Sequence, residues 1–130
     1  MTSKNIDIAR DYFQAVQTGD LAKVGELLDE QVVWHQPGTN RFSGEHQGRD
    51  AVFALLGGMM ETSQGSFAID QVHALMGNGD TVAATIHFTG SHTTGSMSMD
   101  GVDLLRLKDG KIAEVWLFSG DQRAEDAFWA

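Results

Sequence analysis

Asp121 is the residue of this sequence whose type and position best suit proton transfer. It follows Lys111–Ser119, a run that is apolar and rich in β-branched and aromatic residues and therefore predicts a buried strand. A carboxylate at the end of that strand, beside Phe118 and Phe128, would be desolvated, and desolvation favours the protonated form that a general acid needs. The alternative is that Asp121 caps a final helix over residues 122–129, because aspartate is favoured at that position.

Two histidines could donate hydrogen bonds to a ligand near Asp121. His35 follows Trp34 on a short predicted strand, and we expect it at the rim of a pocket. His87 lies in the middle of an alternating strand predicted over residues 81–92, so it either points into a pocket or belongs to a solvated or subunit-contact face. We predict Asp121, His35 and His87 as the catalytic group.

The large apolar side chains indicate what such a pocket would hold. Cavities lined with aromatic residues and methionine accept irregular apolar ligands. The residues expected in the walls are Trp34, Phe53, Leu56, Met60, Phe88, Trp116, Phe118 and Phe128. The methionines are also compatible with a packed core, and both interpretations stay open.

No metal, cofactor or nucleic-acid partner is predicted. The sequence has no cysteine, which excludes disulfides, thiolate metal sites and cysteine nucleophiles. No pair of histidines has the i, i+4 spacing of a helical zinc site, and the glycines form no phosphate-binding loop. The formal charge is −9 without a basic cluster to offset it locally, so a polyanion would be repelled.

The elements that position these residues are expected to form one domain over residues 1–130. Hydrophobic residues make up 42% of the sequence and charged residues 21%, which is ordinary for a soluble globular protein. No apolar run is long enough to span a membrane, and no signal peptide is evident, so a cytoplasmic location is expected.

Apolar spacing predicts helices first and strands afterwards. The predicted helices cover residues 4–18 and 21–28 and a third segment that begins at 48–50; a short strand over 32–35 and a loop over 39–47 precede the third helix, and long strands cover 66–76, 81–92, 97–107 and 111–119. The short turns between the long strands imply an α+β fold with an antiparallel, meandering sheet and the helices on one side. Both faces of the last hairpin are apolar, so one is expected to meet the helices and the other a second subunit.

The turn at Asp109-Gly110 predicts a register for the last hairpin, since this dipeptide favours a two-residue connection. The predicted pairs are Lys108 with Lys111, Leu105 with Glu114 and Asp103 with Trp116. Asp103 and Glu114 then share one face, and Arg106 lies on the other. Asp103 could be a second acid in the pocket, but a structural hydrogen bond or exposure to solvent is the simpler expectation.

The order and spacing of several segments resemble the SnoaL-like polyketide cyclases, within the nuclear transport factor two-like, or ketosteroid isomerase-like, superfamily. These segments are the helix-helix start, Trp34–Gly38, Gly44–Phe53, Asp109–Trp116 and Asp121-Gln122, so the resemblance covers essentially the whole chain. It implies a cone, in which a strongly curved antiparallel sheet wraps round three N-terminal helices in a cystatin-like roll. It also implies an apolar cavity at the wide end, and usually a homodimer.

The resemblance implies a type of chemistry as well. Enzymes of the family mostly need no metal or redox cofactor and move protons on a bound hydrophobic substrate. Their acid/base is an aspartate at the end of the last long strand, the position that Asp121 matches. The histidines of the cyclases are replaced here, by Leu105, Leu107, Leu117 and Ser119. The only tyrosine, Tyr12, lies in the first helix, so the tyrosine donor of the ketosteroid isomerases is not matched either.

Three functions are compatible with these observations. The first is a cofactor-independent lyase or isomerase, such as a cyclase or dehydratase, in which Asp121 acts on an apolar, carbonyl-bearing substrate. The second is a non-catalytic dimeric module that binds an apolar small molecule. The third is an interaction domain whose pocket is filled by its own side chains.

Overall fold

The computed structural model describes residues 2–130, in which six strands form one mixed sheet accompanied by four helices. The helices are α1 (Thr2–Thr18), α2 (Leu21–Leu27), α3 (Arg49–Thr62) and α4 (Gln122–Trp129). The strands are β1 (Leu28–Gln36), β2 (Gly44–Gln47), β3 (Ala68–Asn78), β4 (Thr81–His92), β5 (Gly95–Lys108) and β6 (Lys111–Ser119). The predicted α+β fold is confirmed.

The order of strands in the sheet is β2-β1-β6-β5-β4-β3. The four long strands pair antiparallel in sequence order, as the short turns predict. The sheet differs from the prediction in one pair, because β1 runs parallel to β6. β2 pairs with β1 inside the segment that the prediction leaves as a loop. Its sequence, Gly-Glu-His-Gln, has no apolar alternation from which a strand could be recognised.

The buried face of the sheet and the helices share one apolar core. On α1, Ala9, Tyr12 and Phe13 recur at helical spacing and are each at most 2% exposed. On β4 the inward residues alternate with the outward ones as predicted, and those buried are Val82, Ala84, Ile86 and Phe88. None of the helices in residues 2–130 has the length and apolar character needed to cross a membrane.

A β-bulge at Ala113 shifts the register of the last hairpin. Leu107 pairs with Ile112, but the next residue of β5, Arg106, pairs with Glu114. The extra residue on β6 moves every later partner by one place. Because side chains alternate between the two faces of a sheet, each later residue of β6 then shares a face with different residues of β5. The predicted register is therefore wrong beyond the residues next to the turn, and Arg106 Nη2 lies 3.2 Å from Glu114 Oε1 on the same face.

The same shift places Glu114 on the face opposite to Asp103. Asp103 pairs with Leu117, not with Trp116 as the unbulged register predicts. Asp103 and Leu117 both border the core side of the sheet, whereas Trp116 lies on the opposite face. The bulge thus turns Glu114 and Trp116 to the outer face and brings Leu117 to the side of Asp103.

Candidate functional site

A small apolar cavity of about 80 Å³ lies between the helices and the sheet. Its apolar wall includes Trp34 from β1, Leu56 from α3 and Phe88 from β4. Two acids and one phenol interrupt this wall, namely Asp103 from β5, Glu125 from α4 and Tyr12 from α1. The volume is well below the roughly 300 Å³ at which pockets for drug-sized ligands begin.

Asp103 is a buried carboxyl without a protein partner. It is 6% exposed and borders the cavity, and within residues 2–130 its carboxyl makes no side-chain hydrogen bond. Burial raises the pKa of Asp103 to about 7, and the negative charge of Glu125 raises it further in the same direction. Both protonation states of Asp103 are therefore populated near neutral pH.

Tyr12 places a hydroxyl at the same cavity. The residue is 2% exposed, it lines the cavity, and no hydrogen bond to a described residue affects the pKa of its hydroxyl. Burial raises the pKa of the Tyr12 hydroxyl, and the charge of Asp103 adds to this effect. Tyr12 consequently stays protonated and can donate a hydrogen bond to an oxygen atom in the cavity.

Glu125 is fixed by three hydrogen bonds. Its Oε1 accepts from Ser119 Oγ at 2.5 Å and from Gln122 Nε2 at 3.1 Å, and its Oε2 accepts from Trp129 Nε1 at 3.2 Å. These bonds offset the free-energy cost of burying a carboxylate that is only 4% exposed. Glu125 is therefore an immobile negative charge facing Asp103, and it is not free to turn toward a ligand.

Asp121 does not lie at the pocket. It is exposed, it does not border the cavity, and its Oδ1 accepts the backbone N–H of Ala124 at 3.1 Å as the N-cap of α4. The predicted position at the pocket edge is wrong, and the capping alternative describes the structure. The physical reason is that β6 ends at Ser119, so the chain has already turned into α4 when it reaches Asp121.

Removing the Asp121 carboxylate should therefore affect stability and not chemistry. We expect Asp121→Ala to lower the free energy of unfolding by about 1 kcal/mol, because one N–H at the helix start loses its acceptor. Asp121→Asn, which retains a capping oxygen, should cost only a few tenths of that value. Urea denaturation of the two variants measures the difference, and equal losses would contradict a capping role.

The two predicted catalytic histidines lie away from the cavity. His35 Nε2 is 2.7 Å from Glu114 Oε2, and its ring stacks on Trp116 with centroids 5.4 Å apart. His87 Nδ1 is 2.7 Å from Asp70 Oδ1. These hydrogen bonds lower the pKa of Glu114 and of Asp70. The predicted group of Asp121, His35 and His87 is thus not assembled, because both histidines lie on the outer face of the sheet.

Half of the predicted wall residues border the cavity, namely Trp34, Leu56, Phe88 and Phe118. Phe53 instead points toward Gly25, between α3 and α2, and Met60 is 41% exposed on α3. Trp116 lies on the outer face with His35. Phe128 packs against His92 with ring centroids 4.4 Å apart and belongs to the core. The contact of the outer face with a second subunit stays a prediction.

Two site residues, Tyr12 and Glu125, are absent from the sequence-based prediction. Each lies in the buried stripe of an amphipathic helix, and that spacing is the signal that could have found them. Glu125 is four residues before Trp129, and Tyr12 is three after Ala9. A polar group in such a stripe is either hydrogen-bonded or functional. Within residues 2–130, no three His, Asp or Glu side chains are grouped so that they could hold a metal ion.

The chain is similar to several proteins over nearly its whole length. A structure from Xanthomonas campestris, of unknown function and with a cystatin-like fold, is 51% identical with a TM-score of 0.94, covering 97% of this chain and 98% of that one. Bal32a, from a soil-derived mobile gene cassette, is 26% identical with a TM-score of 0.94, covering 99% and 98%. An uncharacterized protein of Mycobacterium tuberculosis strain H37Rv is 25% identical, covering 97% of this chain and 96% of its own.

More distant structures share the fold alone. A provisionally assigned ketosteroid isomerase of Kribbella flavida is 22% identical with a TM-score of 0.70, covering 92% of this chain and 80% of its own. A provisionally assigned polyketide cyclase of Sinorhizobium meliloti is 19% identical with a TM-score of 0.69, covering 85% and 93%. The family model described as SnoaL-like domain matches residues 9–115, which include Tyr12 and Asp103. By its sequence and its fold, the chain belongs to the SnoaL-like domain family.

Proposed function

We propose that the protein catalyses proton transfer on an apolar, carbonyl-bearing small molecule. Asp103 is the general acid/base, and Tyr12 is the hydrogen-bond donor to the carbonyl oxygen. One observation carries the proposal: a carboxyl whose pKa is about 7 and a protonated hydroxyl meet at one apolar cavity, and no hydrogen bond within residues 2–130 affects the pKa of either. Both residues border the cavity, so an oxygen atom of a ligand placed there can hydrogen-bond to each of them.

The chemistry follows from the two protonation states of Asp103. In its ionised form, Asp103 takes a proton from the carbon next to the carbonyl, and the electron pair moves onto the carbonyl oxygen to form an enolate. The Tyr12 hydroxyl stabilises that oxygen, with an effect that is strong in a low-dielectric cavity. Protonated Asp103 then returns the proton to another carbon, which isomerises the substrate, or to a departing hydroxyl, which dehydrates it.

The fixed charge of Glu125 supports this role. A general acid/base works best when its pKa lies near the working pH. Burial accounts for most of the raised pKa of Asp103, and the Glu125 carboxylate adds to it. Because Ser119, Gln122 and Trp129 hold Glu125 in place, this contribution does not depend on the ligand.

Exchange of the α-protons of cyclohexanone for deuterium tests the proposal without knowledge of the natural substrate. The wild-type protein should accelerate the exchange in D₂O, followed by NMR, with a rate that rises through about pH 7 as Asp103 ionises. Asp103→Asn should lower the rate by about 100-fold or more. Tyr12→Phe should lower it by about 100-fold, since one donor to the enolate oxygen is lost.

The matched control is Asp121→Asn, which alters the other candidate acid and leaves a helix cap in place. Circular dichroism checks that every variant is folded. Exchange that survives in Asp103→Asn and fails in Asp121→Asn would overturn the assignment. Binding of the ketone without exchange would support the non-catalytic binding module instead.

A further inference from the structure

An open apolar groove of about 470 Å³ lies on the helix side of the molecule. It is formed by the end of α1, the start of α2, the last turns of α3 and the start of β3. Leu21 and Met60 border it and are 63% and 41% exposed. Exposed apolar side chains gathered at one concave site are characteristic of a binding surface.

The groove and the cavity share one wall. Val16, Leu56, Phe67 and Ile69 border both spaces, and each of them is half-buried. These four apolar side chains, named here the partition, therefore lie between the cavity and the groove.

The two helices lead from the polar atoms of the cavity to the groove. Tyr12 borders the cavity, and Val16, one turn later on α1, belongs to the partition. Leu56 belongs to the partition, and Met60, one turn later on α3, borders the groove. A ligand whose oxygen lies at Tyr12 and whose body follows these two helices would pass through the partition into the groove.

The small volume of the cavity requires a drug-sized ligand to extend from it into a neighbouring space. The cavity of about 80 Å³ is well below the roughly 300 Å³ at which pockets for drug-sized ligands begin, so such a ligand must extend beyond it. The other surface hollow that shares wall residues with the cavity, beside Phe118, is bordered by His73 and Asp100 and would expose an apolar body to charge. The residues that border the groove include no charged side chain.

We propose that the groove binds the uncharged apolar tail of the ligand whose oxygen is held by Asp103 and Tyr12. The inference rests on the proposed function for the oxygen-bearing end. Its ligand class is an elongated molecule with a carbonyl or phenolic oxygen at one end and an uncharged hydrocarbon body at the other. A carboxylate on the tail is excluded from this class because no lysine or arginine borders the groove.

A series from phenol to 4-hexylphenol tests the inference through binding measured by calorimetry at pH 8. Affinity for the wild-type protein should rise by about fourfold for each methylene that enters the groove. Leu21→Asp places a charge in the groove. It should weaken the binding of 4-hexylphenol by at least about tenfold and leave the affinity for phenol unchanged. The control is Met76→Asp, because Met76 is 55% exposed and borders neither space.

The outcomes separate the tail site from the proposed chemistry. If the affinity of Leu21→Asp rises with chain length as that of the wild type does, the groove is not the tail site. Phenol itself should bind about tenfold more weakly to Asp103→Asn, since a hydrogen bond to a charged group is lost. In a third outcome, Leu21→Asp abolishes the dependence on chain length, but Asp103→Asn binds phenol as tightly as the wild type does. That outcome overturns the head-group site and the proposed function. No binding by any member of the series overturns both.

Discussion

The free energy of unfolding of the wild-type protein is expected to fall by about 4 kcal/mol by pH 8 because of Asp103. Asp103→Asn has no ionisable group at this position, so it should not show this fall. Burial raises the pKa of Asp103 to about 7, against about 3.9 in an unfolded chain. Between these values the folded state holds a proton that the unfolded state has released. Each pH step upward then lowers the free energy of unfolding by about 1.4 kcal/mol, until the folded protein also loses the proton above about pH 7.

Urea denaturation of the wild type and Asp103→Asn at pH 4.5 and pH 8 measures this effect. The difference in unfolding free energy, wild type minus variant, should fall by about 3 kcal/mol between the two pH values. Titrating groups that are not coupled to Asp103 are common to both proteins and cancel in the difference. Asp109→Asn, an exposed change in the turn of the same hairpin, is the control. The difference between the wild type and Asp109→Asn in unfolding free energy should be the same at both pH values. The same result for Asp103→Asn would refute the raised pKa of Asp103.

Trp129→Ala is expected to destabilise the protein by about 3–5 kcal/mol, the usual cost of removing a large buried aromatic side chain. Trp129 is 0% exposed. Its ring meets Phe42, Phe67 and Phe128 edge to face, with centroids 5.3, 5.5 and 4.7 Å apart. The change would also remove one of the three donors to Glu125. The end of α4 is therefore part of the core.

The melting temperature and the urea midpoint of three variants test this expectation. Trp129→Phe retains most of the apolar contact and loses only the indole N–H, so its loss should be clearly smaller than that of Trp129→Ala. Phe118→Ala removes an aromatic ring that is 56% exposed and should stay within about 0.5 kcal/mol of the wild type. If the Trp129 ring only rested on the surface, Trp129→Ala would lose no more stability than Phe118→Ala.

Much of the fold could be predicted because local patterns and tertiary structure agree. β4 covers residues 81–92, where apolar residues alternate, and β6 covers residues 111–119, the predicted apolar run. α4 begins directly after its cap, Asp121, as the capping interpretation expects. The parallel pair of β1 and β6 could not be predicted in this way, since it joins segments far apart in sequence and neither strand alone specifies its neighbour.

The site was harder to predict than the fold, for two physical reasons. The bulge at Ala113 leaves no mark in the apolar pattern of β6, yet it decides which residues of that strand share a face with Asp103. The raised pKa of Asp103 depends on burial under helices and on Glu125, which only the folded chain brings close. Asp121 stands where a strand ends, and that position suits a helix cap as well as it suits an acid at the edge of a pocket.

The position of β6 in the sheet has a consequence for how the protein forms during synthesis. β6 is the last strand to leave the ribosome, and yet it lies between β1 and β5 in the sheet. Until it emerges, β1 and β2 have no strand that joins them to the β3–β5 meander, and Glu125 follows later still. Contacts of such high sequence separation form late and slowly. The nascent chain therefore carries Asp103 and Tyr12 without their cavity, and the site closes only after almost the entire domain has been made.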